Sequence, residues 1–214
     1  MDRLHHHRIR RGILAGTLAG SVVMAMGVPA AHAAANCVVS RGVTQTATTV
    51  TGTNRNDTIA CGGASRGKRI IGKGGNDTIT GTSFHDRIIG GAGSDTMTGG
   101  RGNDILIGGR GDDTMTGSAG RDTLKGGSGD DILTGSQQND HLKGGAGDDT
   151  LSGGTRKDFL NGGLGTDTLN GNAGDDTLKG PANDSSVDTL IGGTGSDTCQ
   201  GPGPDGDTLT TCNP

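Results

Sequence analysis

The sequence predicts an all-β fold, a parallel β-solenoid, and three observations lead to this prediction. An aspartate falls at every ninth residue over a long central stretch, and an apolar residue follows each aspartate at a distance of two residues. Glycine accounts for 45 of the 214 residues and recurs at fixed places in the same unit, whereas Trp and Tyr are absent. So few large apolar side chains cannot build a thick core. The strict period nevertheless argues against disorder, because disordered glycine-rich chains do not place the same residue type at a fixed spacing.

The repeat unit itself indicates how the chain coils. In residues 108–116, Gly-Gly-Arg-Gly-Asp-Asp-Thr-Met-Thr, six residues rich in glycine and aspartate predict a turn, and the last three predict a short strand. Only the middle strand residue would point inward. Two units would close one flattened coil, and successive coils would pair their strands in parallel. A single inward apolar residue in each unit buries too little area to offset the ordering of so many glycines.

The aspartates at the sixth position of the unit are the candidate metal ligands. Stacked coils would bring every second aspartate into register about 4.8 Å apart, where the carboxylates repel one another unless a cation lies between them. A hard divalent cation suits carboxylates combined with the backbone carbonyls of a glycine turn. The aspartates that keep one phase are Asp77, Asp86, Asp95, Asp104, Asp113, Asp122, Asp131, Asp140, Asp149, Asp158, Asp167 and Asp176.

This unit resembles the G-G-x-G-x-D-x-U-x repeat of the RTX family of calcium-binding proteins over about residues 52–210. The resemblance implies a right-handed parallel β-roll, a β-solenoid that binds several Ca²⁺ ions between turns at the same edge. The sixth-position aspartates and the turn carbonyls would hold these ions. We expect an N-terminal cap over residues 34–51, the repeats over 52–200 and a C-terminal cap over 201–214. Lys68 stands where an aspartate belongs, which should remove a site there.

Successive units alternate between two edges of the predicted roll, and the edges differ in sequence. Turns of the first edge open at residues 72, 90, 108, 126, 144 and 162 and keep their glycines almost completely. Turns of the second edge open at residues 81, 99, 117, 135, 153 and 171 and have lost many of them. Because turn carbonyls need conformations that glycine permits, we expect a continuous calcium column on the first edge and a patchy one on the second; equal loading of both edges is the alternative. The predicted metal ligands are Asp77, Asp95, Asp113, Asp131, Asp149 and Asp167 on the first edge, with Asp104, Asp122, Asp176 and Asp197 on the second.

The first 33 residues are typical of a secretory signal peptide. Four arginines precede an apolar stretch over residues 13–28, and Ala31-His32-Ala33 has the small-x-small pattern of a cleavage site. A transmembrane anchor is the alternative, but three glycines interrupt the short apolar stretch and a fourth, Gly12, precedes it. Without residues 1–33 the chain keeps 15 of its 19 basic and 22 of its 23 acidic residues, a net charge of −7. That sign argues against nucleic acid or an anionic membrane as a partner. Because no second hydrophobic span follows, we also expect no membrane insertion of the mature chain.

The four cysteines predict two disulfides in an exported protein. About six coils, or roughly 30 Å at the strand spacing, would separate the first two cysteines from the last two. A disulfide requires its Cα atoms to lie within about 7 Å. We therefore expect the pairs Cys37–Cys61 and Cys199–Cys212, one at each end of the coil stack.

The sequence thus predicts a secreted, non-enzymatic calcium-binding protein that folds when Ca²⁺ binds. No group of residues forms a catalytic motif in its required context: the Gly63-to-Gly67 stretch matches G-x-S-x-G without the strand and helix of a hydrolase. An adhesion or surface-matrix module is the alternative function. One predicted strand face is rich in threonine, similar to the faces of ice-binding β-solenoids, and could also contact polysaccharide. High β-propensity of threonine explains the same pattern without any ligand.

Overall fold

The computed structural model describes residues 37–180, 186–200 and 206–212, and these residues form strands and turns without a helix. The strands make two ten-stranded sheets. The predicted signal peptide, residues 1–33, lies outside the described residues. In the ranges that the structure describes, no helix is long and apolar enough to cross a membrane.

The two sheets take alternate strands of the chain. The first sheet contains, in spatial order, β1 (Val38–Val39), β4 (Thr58–Ala60), β6 (Thr78–Thr80), β8 (Thr96–Arg101), β10 (Thr114–Ala119), β12 (Ile132–Gln137), β14 (Thr150–Thr155), β16 (Thr168–Ala173), β18 (Thr189–Thr194) and β20 (Thr208–Thr210). The second sheet contains β2 (Thr44–Gln45), β3 (Thr49–Thr51), β5 (Arg69–Gly74), β7 (Arg87–Ala92), β9 (Ile105–Arg110), β11 (Thr123–Ser128), β13 (His141–Ala146), β15 (Phe159–Leu164), β17 (Thr177–Lys179) and β19 (Thr198–Gln200).

Parallel pairing between neighbouring coils confirms the predicted β-solenoid. Met115 pairs with Leu133 and Leu124 pairs with Leu142, so each residue meets its counterpart two units later. Leu169 pairs with Leu190, which absorbs the three extra residues before Asp188 without a change of register. The inward residues of strands β3 to β18 form one buried apolar column between the sheets, from Val50 through Leu106 and Leu124 to Leu190. In the described residues the core is this thin column, joined at its N-terminal end by Cys37 and Cys61.

The full-length strands are longer than the sequence predicted, because they run on through the first three residues of the next unit. Strand β9 pairs with β11 from Ile105 to Ile107, skips the first-position glycine, and pairs again at Gly109 and Arg110. The second-position glycine has a φ of 129° at Gly109, a conformation that is costly for other residues. The chain therefore bends at the glycine pair without leaving the sheet.

Two disulfides and an antiparallel cap close the ends of the stack. Strands β1 and β2 pair antiparallel with β4 and β3, respectively, and parallel pairing begins between β3 and β5. The structure confirms both predicted disulfides: Cys37–Cys61 has a Cα–Cα distance of 4.2 Å, and Cys199–Cys212 has one of 5.7 Å. The first disulfide joins the N-terminal cap to the first complete coil.

Candidate metal centre

The sixth-position aspartates lie inside the coils, where each turn meets the next strand, and form two columns. The structure brings Asp77, Asp95, Asp113, Asp131, Asp149 and Asp167 into one column, as predicted, and continues it to Asp188 and Asp207. The other predicted ligands, Asp104, Asp122, Asp176 and Asp197, share the second column with Asp86, Asp140 and Asp158. Each of the ten predicted ligands is at most 1 % exposed.

A hydrogen bond links each aspartate to the next one in its column. The backbone N–H of Asp95 donates to Oδ1 of Asp113 at 2.8 Å, and the N–H of Asp104 donates to Oδ1 of Asp122 at the same distance. The link persists across the insertion, where Asp176 donates to Asp197 at 3.0 Å. One carboxylate oxygen of each aspartate thus fixes the register between coils, and the other oxygen remains for a different partner.

That second oxygen, Oδ2, is buried and accepts no hydrogen bond along most of both columns. This holds for Asp77, Asp95, Asp104, Asp113, Asp122, Asp131, Asp140, Asp149, Asp158, Asp176, Asp197 and Asp207. A buried carboxylate oxygen without a donor is strongly unfavourable. A row of such oxygens is an arrangement that a hard cation would stabilise. The donor set therefore fits Ca²⁺.

Burial of these carboxyl groups also raises their pKa values. Burial is the main cause of each rise; the N–H donated to Oδ1 opposes it, and neighbouring aspartates add to it at many positions. The pKa is raised to about 7 for Asp104, Asp113, Asp140, Asp149 and Asp158. It is raised to about 6 for Asp77, Asp122, Asp131 and Asp176. Without a cation, the folded chain holds these groups ionised only at high cost near neutral pH.

The first-position glycine forms the other wall of each candidate site. A Cβ at Gly108 would lie 2.2 Å from Oδ2 of Asp113 and 2.6 Å from the carbonyl oxygen of Gly126. Gly144 has the same surroundings, with Oδ2 of Asp149 at 2.2 Å and the carbonyl oxygen of Gly162 at 2.5 Å. Only a residue without a side chain fits among these oxygens. In the described ranges no three His, Cys, Asp or Glu side chains form a metal-binding group, and the carbonyl oxygens of the turns lie beside the carboxylates at these glycines.

Two aspartates depart from this pattern, and the sequence alone did not predict them. In Asp86, Oδ2 accepts hydrogen bonds from the backbone N–H of Thr82 at 2.6 Å and from its hydroxyl at 2.9 Å. Thr53 makes the same two contacts with Asp57, at 2.6 and 2.9 Å. Burial acts to raise the pKa of Asp57, but the hydrogen bonds from Thr53 and Ser40 lower it below its ordinary value.

Threonine at the second position of the turn is the signal that could have revealed these two exceptions. The threonine supplies the donors that the other aspartates lack, so the first aspartate of each column is satisfied without a metal. Lys68 occupies the place below Asp86 in the second column, where the repeat would have an aspartate. It is buried; its backbone N–H donates to Asp86 and its ammonium group donates to the carbonyl of Ala47. At the start of the second column, Lys68 and Thr82 therefore supply the hydrogen-bond donors that Asp86 needs.

The two edges share one turn conformation but reach it with different residues. On the second edge, residues other than glycine occupy left-handed conformations at the second or fourth turn position: Ser118, Ser136, Gln138, Arg156 and Asn172. On the first edge only Lys73 does so within the described turns. Such residues cost about 1 kcal/mol or more each relative to glycine. The carboxylates are placed alike on both edges, and the backbone strain lies mainly on the second.

Stacked turns with buried, unpartnered carboxylate oxygens define a metal-binding β-solenoid protein. The family model of the RTX calcium-binding nonapeptide repeat matches the chain in four copies, at residues 71–106, 107–142, 143–178 and 184–201. Since the matched residues are more than half of the chain, the protein belongs to the RTX family, and the resemblance drawn from the repeat is confirmed. No curated protein matches the chain significantly.

Proposed function

We propose that this chain is a secreted, non-enzymatic calcium-binding protein whose β-roll folds when Ca²⁺ occupies the stacked turns. The observation that carries the proposal is the pair of columns of buried aspartates, in most of which, such as Asp113 and Asp149, Oδ2 accepts no hydrogen bond. Ca²⁺ would supply the positive charge that these oxygens lack, and its binding free energy would add to folding. Extracellular modules bind calcium at about 10⁻⁴–10⁻³ M, so folding would follow export.

The ten predicted aspartates are the proposed ligands, together with turn carbonyls. The structure adds Asp140 and Asp158 to the candidates, because their Oδ2 atoms are in the same state. We retain the prediction of a continuous calcium column on the first edge and a patchy one on the second, and the reason is now specific: the second edge holds non-glycine residues in left-handed conformations. Native mass spectrometry over a calcium titration counts the ions. Equal filling of both edges at each concentration contradicts the asymmetry.

A matched pair of variants tests the proposed calcium site. Asp113→Asn removes the charge from an unpartnered carboxylate, so we expect a higher calcium midpoint for folding and fewer bound ions. Asp86→Asn changes the same turn position in a site that Thr82 already satisfies, so the number of bound ions should stay unchanged. Circular dichroism measures folding, and calorimetry measures the ions bound. A complete β signal in metal-free wild-type protein at neutral pH refutes folding on calcium binding.

Secretion is supported by the two disulfides and by the signal-like first 33 residues. Mass spectrometry of the protein exported from an expression host should find a new N-terminus at Ala34. Recovery of the full-length chain only inside the cell contradicts this part of the proposal.

The absence of enzymatic activity is supported by the environments of the two histidines in the described ranges. Nδ1 of His85 accepts a hydrogen bond from the N–H of Asn103. The ring of His141 packs against Phe159 with centroids 4.7 Å apart. Neither histidine is hydrogen-bonded to a nucleophile, as general-base catalysis requires. Hydrolysis of chromogenic ester or glycoside substrates above the rate of a His85→Ala, His141→Ala control contradicts the proposal.

A second candidate function rests on the threonine face, the outward threonines of the first sheet. Thr78, Thr96, Thr114, Thr150 and Thr168 lie in one exposed column, which Ile132 interrupts. A flat, uncharged column of hydroxyl and methyl groups could adsorb ice, polysaccharide or another extracellular surface. Thermal hysteresis of the calcium-loaded protein tests ice binding. Thr114→Lys should abolish the activity and Thr123→Lys on the opposite sheet should preserve it, whereas no hysteresis in the wild type eliminates ice as the ligand.

A further inference from the structure

The surface charge of the folded chain has the opposite sign to its net charge. Most of the acidic residues are sixth-position aspartates, which are buried. In the described ranges the exposed acidic residues are Asp112, Asp130, Asp148 and Asp175, whereas fourteen basic residues are exposed. With Ca²⁺ neutralising the buried columns, a partner would meet a predominantly basic surface. The net charge of −7, on which the sequence argument about partners rested, does not describe that surface.

The basic residues are not spread evenly over the four sides of the roll. In the three residues before each glycine pair, the described strands of the first sheet carry no charge; on the first edge, exposed Lys73 and Arg110 offset Asp112, Asp130 and Asp148. In the same three positions the second sheet has no acidic residue on its described strands. Its basic residues at these positions are Arg69, Arg87, Lys125, Lys143 and Lys179.

One outward column of the second sheet combines these charges with amide groups in a straight line. Lys125, Lys143, Asn161, Lys179 and Gln200 pair in register on five successive strands, from β11 to β19. We call these five residues the donor column. Strand spacing places neighbouring members about 4.8 Å apart and makes the column about 19 Å long. Every member presents N–H donors, and Asn161 alone is half-buried while the other four are exposed.

We propose that the donor column binds a linear anionic polysaccharide laid across the strands of the second sheet. The lysines would contact the acidic groups of the polymer, and the amides of Asn161 and Gln200 would donate to its hydroxyl groups. The proposal rests on the proposed function, because the donor column is in register only in the folded, calcium-loaded roll.

The shape and composition of this face favour a polysaccharide over other polyanions. Single-stranded nucleic acid is bound by aromatic side chains on which bases stack, but on this sheet Phe159 is half-buried against His141. Duplex DNA is read by elements that enter a groove, and a flat sheet face does not. Anionic membrane binding requires apolar side chains that insert between lipids, whereas Ile71, Ile89 and Ile107 in the same outward column are half-buried.

Two triple variants with equal loss of charge test the proposal. The first changes Lys125, Lys143 and Lys179 to Gln in the donor column. The control changes Arg101, Arg121 and Arg156 to Gln on the second edge, where Gln138 already occupies the position equivalent to Arg156. Binding in millimolar CaCl₂ is measured to dextran sulfate and carboxymethyl-dextran, with plain dextran as the uncharged chain. Circular dichroism verifies that each protein is folded before binding is measured.

We expect the wild type to bind both anionic chains and not to bind plain dextran, and we expect its affinity for the anionic chains to fall as salt is raised. The donor-column variant should bind about tenfold more weakly or worse, because three ion contacts are lost, while the second-edge variant should stay close to wild type. Equal weakening of both variants overturns the proposal, as does tighter binding to single-stranded DNA or phosphatidylserine vesicles. A folded wild type that binds no anionic chain refutes this inference and leaves calcium-dependent folding intact; a wild type that fails to fold in CaCl₂ refutes the proposed function instead.

Discussion

Acidification should promote folding of the calcium-free chain, because the buried aspartates have raised pKa values in the folded state. A carboxyl group whose pKa is higher in the folded than in the unfolded chain stabilises the fold below the unfolded value. That stabilisation is lost as the pH rises through the folded value. Nine aspartates of the columns have pKa values of about 6 to 7 in the folded chain, against an ordinary value of 3.8. The calcium-free roll is therefore disfavoured at pH 7 and favoured near pH 4.

The size of the effect follows from the same values. A rise of one in a pKa costs about 1.4 kcal/mol, so one aspartate raised from 3.8 to about 7 opposes folding by about 4 kcal/mol at pH 7. Local relaxation, water and salt reduce each such value strongly, and neighbouring aspartates share their mutual repulsion, so the nine contributions do not add. A few such groups still match the 5–15 kcal/mol by which a typical domain is stable. Ionisation of the columns should therefore oppose folding of the metal-free chain.

Far-ultraviolet circular dichroism measures this prediction. Calcium should be removed with a chelating resin and checked by metal analysis, because soluble chelators release calcium as they become protonated. The β signal of the metal-free protein should rise between about pH 7 and pH 4, and the number of calcium ions bound at a fixed calcium concentration should fall over the same interval as protons compete for the carboxylates. The matched control is the same titration in excess calcium near neutral pH, where the signal should already be complete. A metal-free signal that stays constant from pH 7 to pH 4 refutes the reasoning.

Three further predictions concern single features of the roll. Gly108→Ala places a Cβ among the oxygens of a site and should cost about 1–3 kcal/mol, seen as a higher calcium midpoint. Gly62→Ala, where nothing lies within 4 Å, should match the wild type, and equal shifts would contradict the steric argument. Thr82→Val removes one of the two donors to Oδ2 of Asp86 and should lower stability by about 1–3 kcal/mol without changing the calcium count; a changed count would show that this turn binds metal. Replacing Cys37–Cys61 by serines opens a loop with a sequence separation of 24 and should cost about 3 kcal/mol in denaturant unfolding, whereas an unchanged midpoint would show that the cap holds without it.

The nine-residue period predicted the features that every coil shares, and it missed the features that occur in only one or two places, such as the N-terminal cap. The nine-residue spacing was enough for the parallel register, for the apolar column through Leu106 and Leu124, and for both disulfides. The three-residue strands were wrong, because the bend at Gly109 lies within a strand rather than after it. The antiparallel cap strands β1 and β2 lie in a stretch without the period, so only the structure shows their pairing.

The candidate site was predictable to the level of residue type but not of hydrogen bonding. Sequence position identified the aspartates, since a stacked repeat places equivalent residues above one another. Whether Oδ2 of a given aspartate already has a partner depends on how a single side chain folds back within its own turn, as Thr82 does towards Asp86. Burial also decides the surface charge, and counting Asp and Lys residues cannot separate the buried column from the exposed donors at Lys125 and Lys143.

The hydrogen bonds around the aspartates tie each coil to both of its neighbours. The N–H of Asp95 is satisfied by the carboxylate of Asp113 in the following coil, whereas the N–H of Thr96 is satisfied by the carbonyl of Asp77 in the preceding coil. A coil in the middle of the stack therefore has donors satisfied from both sides, and a coil at either end has them satisfied from one side only. The stack is weakest at its two ends, and the two disulfides lie there.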